Sequence, residues 1–302
     1  MSWSNSGVGP EHVFEGRPFH IRLRDGRRID WREYGREDGF PIFYFHGTPG
    51  SALEGGVFED AALEHGARII ALDRPGMGKS DFLPGRRIVD WPADVSEVAR
   101  HLGIKTYSIV GWSGGGPHAL VCALPLASQL RALGMVAPQT EHAIFNNDVE
   151  RWAGRLWMPA LKLLTKIPQL GEDILEMGFR LSDRRRAARS DKGIYRRIFA
   201  RSNAHAQQAS SRGVIHENDA LLSDWGITIS QIAAQLHEVR PPLPITVWQG
   251  GKDTSVDISG SRHLAAVLPD CNLKFDPKAS HLDILLDQAE DIVLSMMHPE
   301  LD

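Results

Sequence analysis

The sequence predicts an α/β protein, a mostly parallel sheet flanked by helices and interrupted late in the chain by a helical insertion. Three observations carry that reading. Short apolar runs of strand character (PIFYFHG, ARIIALD, TYSIVGW, LRALGMVAP) alternate with helical stretches through residue 138. From about Gln139 to Arg240 the strand-like runs disappear and amphipathic helical spacing takes over, as in ERWAGRLWMPALKLLTKI and DWGITISQIAAQLHEV. After the proline-rich joint at 241, PPLPITVWQGG and NLKFD restore the first rhythm.

In chain order, FHIRLRD and RIDWREY flank Asp25–Gly26, a hairpin turn signal that adds antiparallel strands at one sheet edge. PIFYFHG, a continuous apolar run closed by glycine, suits a strand buried on both faces. A helix is expected from about Ser51 to Glu64, then the strand ARIIALD (67–73) and the loop DRPGMGKSD. The next helix runs from about Pro92 to Leu102, with Asp90 near its start, Pro92 in its first turn, and Val95, Val98, Ala99 and Leu102 on one face. TYSIVGW is a buried strand, and HALVCAL carries a helix to about Pro125. LRALGMVAP (130–138) is a strand. After the insertion come a strand in 241–251, a helix near Ile258–Val267, the strand at 272–276 and a last helix near Ile284–Met297. The expected domains are therefore a core of 1–138 with 241–302, and a helical cap of 139–240.

The 302 residues, 42% hydrophobic and 24% charged, have the composition of an ordinary globular chain with a large core. A net charge of −4 gives no reason to expect nucleic acid or an anionic membrane as partner. Two cysteines, Cys122 and Cys271, are too few for a disulfide framework and suit a reducing compartment. MSWSNSGVGPEH shows no signal-peptide pattern and no apolar run reaches membrane-spanning length, so a cytoplasmic protein is expected.

In a sheet of this kind ligands bind beyond the carboxyl ends of the strands. HGTPGS, GWSGGGP, GGKDTSV and ASHLD all fall there. In Gly111-Trp112-Ser113-Gly114-Gly115 the serine can occupy a sharp, strained strand-to-helix turn that lifts its hydroxyl over the sheet edge. Small neighbours let strand and helix close up, and the helix N-terminus favours a developing oxyanion. A nucleophilic serine needs a base, and the base an orienting acid. Asp253 and His281 follow successive strands in the expected order, although Asp253 alone could fix a turn and His281 alone could cap the last helix. Glu141 is a rival acid. His118 lies inside the helix and points wrongly, and His46 has a structural place in the HG turn. The N–H groups of Thr48 and Gly114 are candidate oxyanion donors. Asp73 and Arg74 should hold the DRPGMGKSD loop, with Gly76 and Gly78 permitting its turns.

Together, HGTPGS, DRPGMGKSD, GWSGGGP, GGKDTSV and ASHLD, in this order across nearly the whole chain, resemble the α/β-hydrolase family. The resemblance is to its small esterase, lactonase and proline-iminopeptidase-like branch; Ser113 departs from the branches that use an aspartate nucleophile. It implies an eight-stranded, mostly parallel sheet with a lid inserted after the sixth strand. Ser113 would be the nucleophile, His281 the base and Asp253 its orienter, with Gly114 and Thr48 as the oxyanion hole. The implied reaction is hydrolysis of a small-molecule ester, lactone or amide, without metal or cofactor. Carbon–carbon bond hydrolysis, His-base chemistry and ligand reception are alternatives within the same fold. Trp112, beside the serine, is expected to wall the site or to pack in the core. Within the insertion, Trp152, Leu156, Trp157, Leu161 and Leu164 form an apolar stripe, and residues 180–201 hold nine basic against two acidic residues. That basic stretch reads as a solvated helix face before an anion site.

Overall fold

A computed structural model describes residues 15–140 and 192–301 of the chain. Eight strands form one sheet: β1 (Arg17–Arg22), β2 (Arg28–Gly35), β3 (Phe40–Phe45), β4 (Ala67–Leu72), β5 (Tyr107–Trp112), β6 (Leu130–Val136), β7 (Ile245–Gly250) and β8 (Cys271–Asp276). Their order across the sheet is β1-β2-β4-β3-β5-β6-β7-β8. β1 pairs antiparallel with β2 and β2 with β4, while every other pairing is parallel. The Asp25–Gly26 turn is where the sequence puts it. Gly26 takes a φ of 86°, its N–H donates to the Leu23 carbonyl at 2.9 Å, and the Asp25 carboxylate accepts the Arg27 N–H at 2.9 Å.

Parallel strands buried on both faces explain the continuous apolar runs. Along β3, Phe43 and Phe45 join one hydrophobic cluster and Ile42 and Tyr44 the other. Along β5, Tyr107 and Ile109 face the first cluster and Val110 the second. The period of two therefore splits each run between the two sides of the sheet.

The helices are α1 (Glu59–His65), α2 (Trp91–His101), α3 (Gly115–Cys122), α4 (Lys192–Ala206), α5 (Arg212–Leu221), α6 (Ile229–Leu236), α7 (Ile258–Val267), α8 (Asp283–Asp287) and α9 (Ala289–Met297) among the described residues. Two differ from the sequence expectation. The helix expected over 51–64 is a 3-10 helix, Ala52–Phe58, followed by the shorter α1. Its Gly55–Gly56 pair disfavours an α-helix by about 1 kcal/mol per glycine relative to alanine, and Gly55 lies so close to Tyr34 and Ala71 that a Cβ would sit 2.6 and 2.7 Å from them. The last helix is broken at Gln288 into α8 and α9.

Between β6 and β7 the described residues are helical, α4 to α6, as expected there. Glu141, the stripe from Trp152 to Leu164 and the 180–191 part of the basic stretch lie outside the described residues, as do residues 1–14. No helix among the described residues is long and apolar enough to cross a membrane.

Candidate active site

The carboxyl ends of β3, β5, β7 and β8 deliver the sequence-predicted residues to one edge of the sheet. Ser113 follows β5 with a φ of 53°, a left-handed conformation that costs a non-glycine residue about 1–3 kcal/mol. Backbone bonds hold it there. The Ser113 N–H donates to the Val136 carbonyl at 2.9 Å, and the Ser113 carbonyl accepts the N–H groups of Gly116 and Gln139, both at 3.0 Å. The surrounding glycines answer a packing demand. A Cβ on Gly115 would lie 2.2 Å from the Phe45 carbonyl oxygen, and one on Gly111 2.3 Å from that of Gly115. Only bare backbone lets α3 start this close to β3 and β5.

Asp253 and His281 meet. The His281 Nδ1–H donates to Asp253 Oδ2 at 2.7 Å, so Nε2 carries the lone pair that a base needs. The Asp253 side chain is 1% exposed and that of His281 17%. Asp253 is fully engaged: Oδ2 also accepts from Gln249 Nε2 at 3.1 Å, and Oδ1 accepts the N–H groups of Ser255 at 2.8 Å and Val256 at 3.0 Å. Burial pushes the Asp253 carboxyl up, but the His281 bond, its charge and the two N–H groups outweigh it and hold the group below the ordinary value.

Trp112 links base and elbow. Its Nε1–H donates to the His281 carbonyl at 3.4 Å, and its ring centroid lies 5.2 Å from the His281 ring and 5.0 Å from Phe199 of α4. Trp112, partly buried, packs against α4 and lies beside the imidazole of His281. No hydrogen bond joins the Ser113 hydroxyl to His281 among the described residues; such bonds commonly tighten only when substrate binds.

Thr48 lies against Gly114, whose Cβ, if it had one, would be 2.4 Å from Thr48 Oγ1. The N–H groups of both residues take no backbone acceptor among the described residues. The Ser113 carbonyl belongs to the same planar peptide as the Gly114 N–H, so the two bonds at that carbonyl fix the direction of the N–H.

His46 sits in the HG turn and His118 inside α3, as read from the sequence, and each holds backbone. Both are fully buried. His46 Nδ1–H donates to the Gly47 carbonyl at 2.8 Å, and its Nε2 accepts the Arg74 N–H at 3.3 Å. His118 Nδ1–H donates to the Gly114 carbonyl at 2.9 Å. Burial holds His46 well below the ordinary histidine range and pushes His118 down to about 3, so both are neutral. Asp73 holds its loop by accepting the Ala52 N–H at 2.7 Å, while its own carbonyl accepts the Ser80 hydroxyl at 2.7 Å. Gly76 and Gly78 have φ values of 85° and 54°.

Sequence reasoning missed the buried charges around the HGTPGS loop. Glu54 accepts the Gly47 N–H at 2.8 Å, the Tyr44 hydroxyl at 3.1 Å and the Ser202 hydroxyl of α4 at 3.1 Å. Burial raises its carboxyl to about 7 against those bonds. Glu217 of α5, with a side chain 0% exposed, pairs with Arg74 at 2.6 Å and with Arg86. The signal for Glu217 was present: it interrupts a helical stripe of Gly213, Val214, Ala220 and Leu221. Gln249 was equally visible as a polar residue inside the buried strand PITVWQ. Only one grouping among the described residues has metal-ligand spacing, Glu64, His65 and Glu290 on α1 and α9, away from these loops.

The sheet thus carries a serine in a left-handed conformation at the strand-to-helix turn after β5 and an acid-paired histidine after β8, both beyond the carboxyl ends of the strands. The chain belongs to the alpha/beta hydrolase fold family, which matches residues 41–288. A non-heme chloroperoxidase from Streptomyces lividans is 36% identical over 97 residues, which cover 32% of this chain and 35% of that protein. A proline iminopeptidase from Neisseria gonorrhoeae is 28% identical over 125 residues, 38% of this chain and 39% of that protein. The matches thus span well under half the length of these curated relatives. Among solved structures, an esterase from Exiguobacterium antarcticum matches with a TM-score of 0.68 at 21% identity, over 94% of this chain and 99% of that one. At that identity the likeness carries the fold alone.

Proposed function

We propose that the protein is a serine hydrolase of small-molecule carboxylic esters, lactones or amides, acting through an acyl-enzyme. The observation that carries this reading is the 2.7 Å bond from His281 Nδ1 to Asp253, at the sheet edge where Ser113 is held at a φ of 53°. His281 Nε2 takes the Ser113 proton as Oγ attacks the carbonyl carbon. The carbonyl π electrons move to oxygen, and the oxyanion is met by the N–H groups of Thr48 and Gly114. The imidazolium, stabilised by Asp253, then protonates the leaving alcohol or amine. Water, deprotonated by His281, releases the acid and restores Ser113.

The segment 139–240 acts as a cap in this reading. Its described helices bring Phe199 against Trp112 and Glu217 to the HGTPGS loop, so substrate shape is read at the border of cap and core, with Trp112 as one wall. Two unpaired cysteines fit action in the cytoplasm.

The test is a fluorophosphonate label mapped by mass spectrometry. Label on Ser113, lost in His281→Ala, together with p-nitrophenyl acetate hydrolysis lost in a folded Ser113→Ala variant, is the expected result. Hydrolysis undiminished in Ser113→Ala sinks the assignment. Activity kept in Ser113→Ala but lost in His281→Ala points to histidine-base chemistry instead.

A further inference from the structure

The backbone N–H of Thr48 shares one planar trans peptide with the carbonyl of Gly47, and the two point in opposite directions. Whatever grips that carbonyl therefore aims the N–H. Arg74 Nη2 donates to the Gly47 carbonyl at 3.1 Å, and to Thr48 Oγ1, also at 3.1 Å, while its Nη1 donates to the His46 carbonyl at 2.5 Å. One guanidinium thus holds three successive residues of the loop. Arg74 is itself 0% exposed, and its Nε donates to Glu217 Oε1 at 2.6 Å. The second carboxylate oxygen of Glu217 is taken by Arg86, and Thr48 Oγ1–H reaches Glu217 Oε1 at 3.4 Å. A planar fork fixed at one end by a carboxylate is stiff in a way a lysine would not be.

We infer that Arg74 and Glu217 are positioning residues that aim the Thr48 N–H at the oxyanion, so that the oxyanion hole is complete only while α5 is docked on the core. This rests on the serine-hydrolase reading. It adds that a helix between β6 and β7, far in sequence from the catalytic groups, controls transition-state stabilisation through the buried pair. Removing the charge at Glu217 frees the fork to swing, and of the two bonds that grip the Gly47 carbonyl only the one from His46 Nδ1–H at 2.8 Å stays fixed. Ground-state binding does not depend on that peptide's direction, whereas the tetrahedral species does.

The experiment compares wild type with Glu217→Gln using p-nitrophenyl acetate as substrate and phenylboronic acid, which forms a tetrahedral adduct with an active serine, as inhibitor. Complete loss of one oxyanion donor costs about 100- to 1000-fold in kcat. A loosened donor is expected to lower kcat about 10- to 100-fold, with KM within about twofold and the boronic acid Ki raised in step with the fall in kcat. Melting temperature is recorded in parallel. Unchanged kcat and Ki, whatever the melting temperature does, would make the pair structural only and overturn the inference; so would a rise in KM alone. If Glu217→Gln does not accumulate folded, Glu217→Asp replaces it. That variant keeps the charge but draws the carboxylate back from Arg74 by one methylene, and the same joint change in kcat and Ki, about 3- to 10-fold, is expected, no change being the refuting result. Wild-type protein without Ser113-dependent turnover removes the serine-hydrolase reading and this inference together, whereas wild-type turnover with an unaffected variant removes only the inference.

Discussion

Replacing Asp253 by asparagine is the sharpest perturbation the structure offers, because the carboxylate accepts four hydrogen bonds and donates none. Oδ2 faces His281 Nδ1 at 2.7 Å and Gln249 Nε2 at 3.1 Å, while Oδ1 faces the N–H groups of Ser255 and Val256 at 2.8 and 3.0 Å. An asparagine must turn its NH2 toward one of these pairs. Turned to His281, it opposes two donors and forces the ring into the other tautomer, with the proton on Nε2 where the lone pair is needed. Turned to the loop, it keeps the histidine correct but opposes two backbone N–H groups. Either way one covered donor loses its acceptor, Gln249 Nε2–H in the first case and the Val256 N–H in the second, the Ser255 N–H being exposed, so about 1–3 kcal/mol of stability is at stake. Where an acid-to-amide change has fixed the wrong tautomer in a serine triad, kcat has fallen about 10⁴-fold. The assay is kcat/KM for p-nitrophenyl acetate with urea unfolding on the same samples. The expected outcome is a loss of about 10³-fold or more in kcat/KM, or a smaller loss accompanied by about 1–3 kcal/mol of destabilisation if the amide turns to the loop. Retention of both activity within tenfold and full stability would refute the argument that this carboxylate is saturated and orients the base.

Three other expectations follow from features already described. Ser113→Gly and Ser113→Ala should both be inactive, but the glycine variant should melt higher. Relief of left-handed strain is worth about 1–2 kcal/mol against about 0.5–1 kcal/mol of glycine entropy, so an alanine variant as stable as the glycine one counts against strain at the elbow. Gly115→Ala should destabilise the fold by about 1–3 kcal/mol, because its Cβ would sit 2.2 Å from the Phe45 carbonyl oxygen; a urea midpoint equal to wild type would show that α3 can retreat freely. Glu54 is raised by burial to about 7 from 4.5, so between those values the native state holds a proton the unfolded chain has lost. Its contribution to stability therefore falls as pH rises through that window, by up to about 3 kcal/mol. Glu54→Gln should accordingly gain on wild type from pH 5 to pH 8 in thermal melts, and the difference between the two curves isolates Glu54 from the other buried groups that titrate there, Asp73 among them. Parallel curves for the two proteins would exclude a buried, proton-binding Glu54.

How much was legible follows from which residues are buried on two sides. β3 to β7 stood out because a strand covered on both faces must be apolar throughout. β1, an exposed edge, was legible through its hairpin turn and not through an apolar run, and its ends were displaced: its span begins at Arg17, and Leu23 and Asp25 belong to the turn. Ser113, Asp253 and His281 could be nominated because strand ends are where a parallel sheet presents side chains. Of the charges behind the HGTPGS loop only Glu217 left a signal, as a charge interrupting a helical stripe. Glu54, Arg74, Arg86 and Glu217 come from four separate places in the chain, and a charged residue in isolation reads as solvated surface. Only folding brings them together and removes the water. Gln249 was missed differently, because its partner is a carboxylate on the next loop and not a neighbour in sequence.

The peptide at Ser113 has two neighbours with different obligations. Its N–H is tied to Val136, the last residue of β6, and its carbonyl to Gln139, where the chain departs from the sheet. The departing segment is thus moored to the backbone of Ser113 itself. A shift of the chain at Gln139 is passed straight to the Ser113–Gly114 peptide, and so to the direction of the Gly114 N–H.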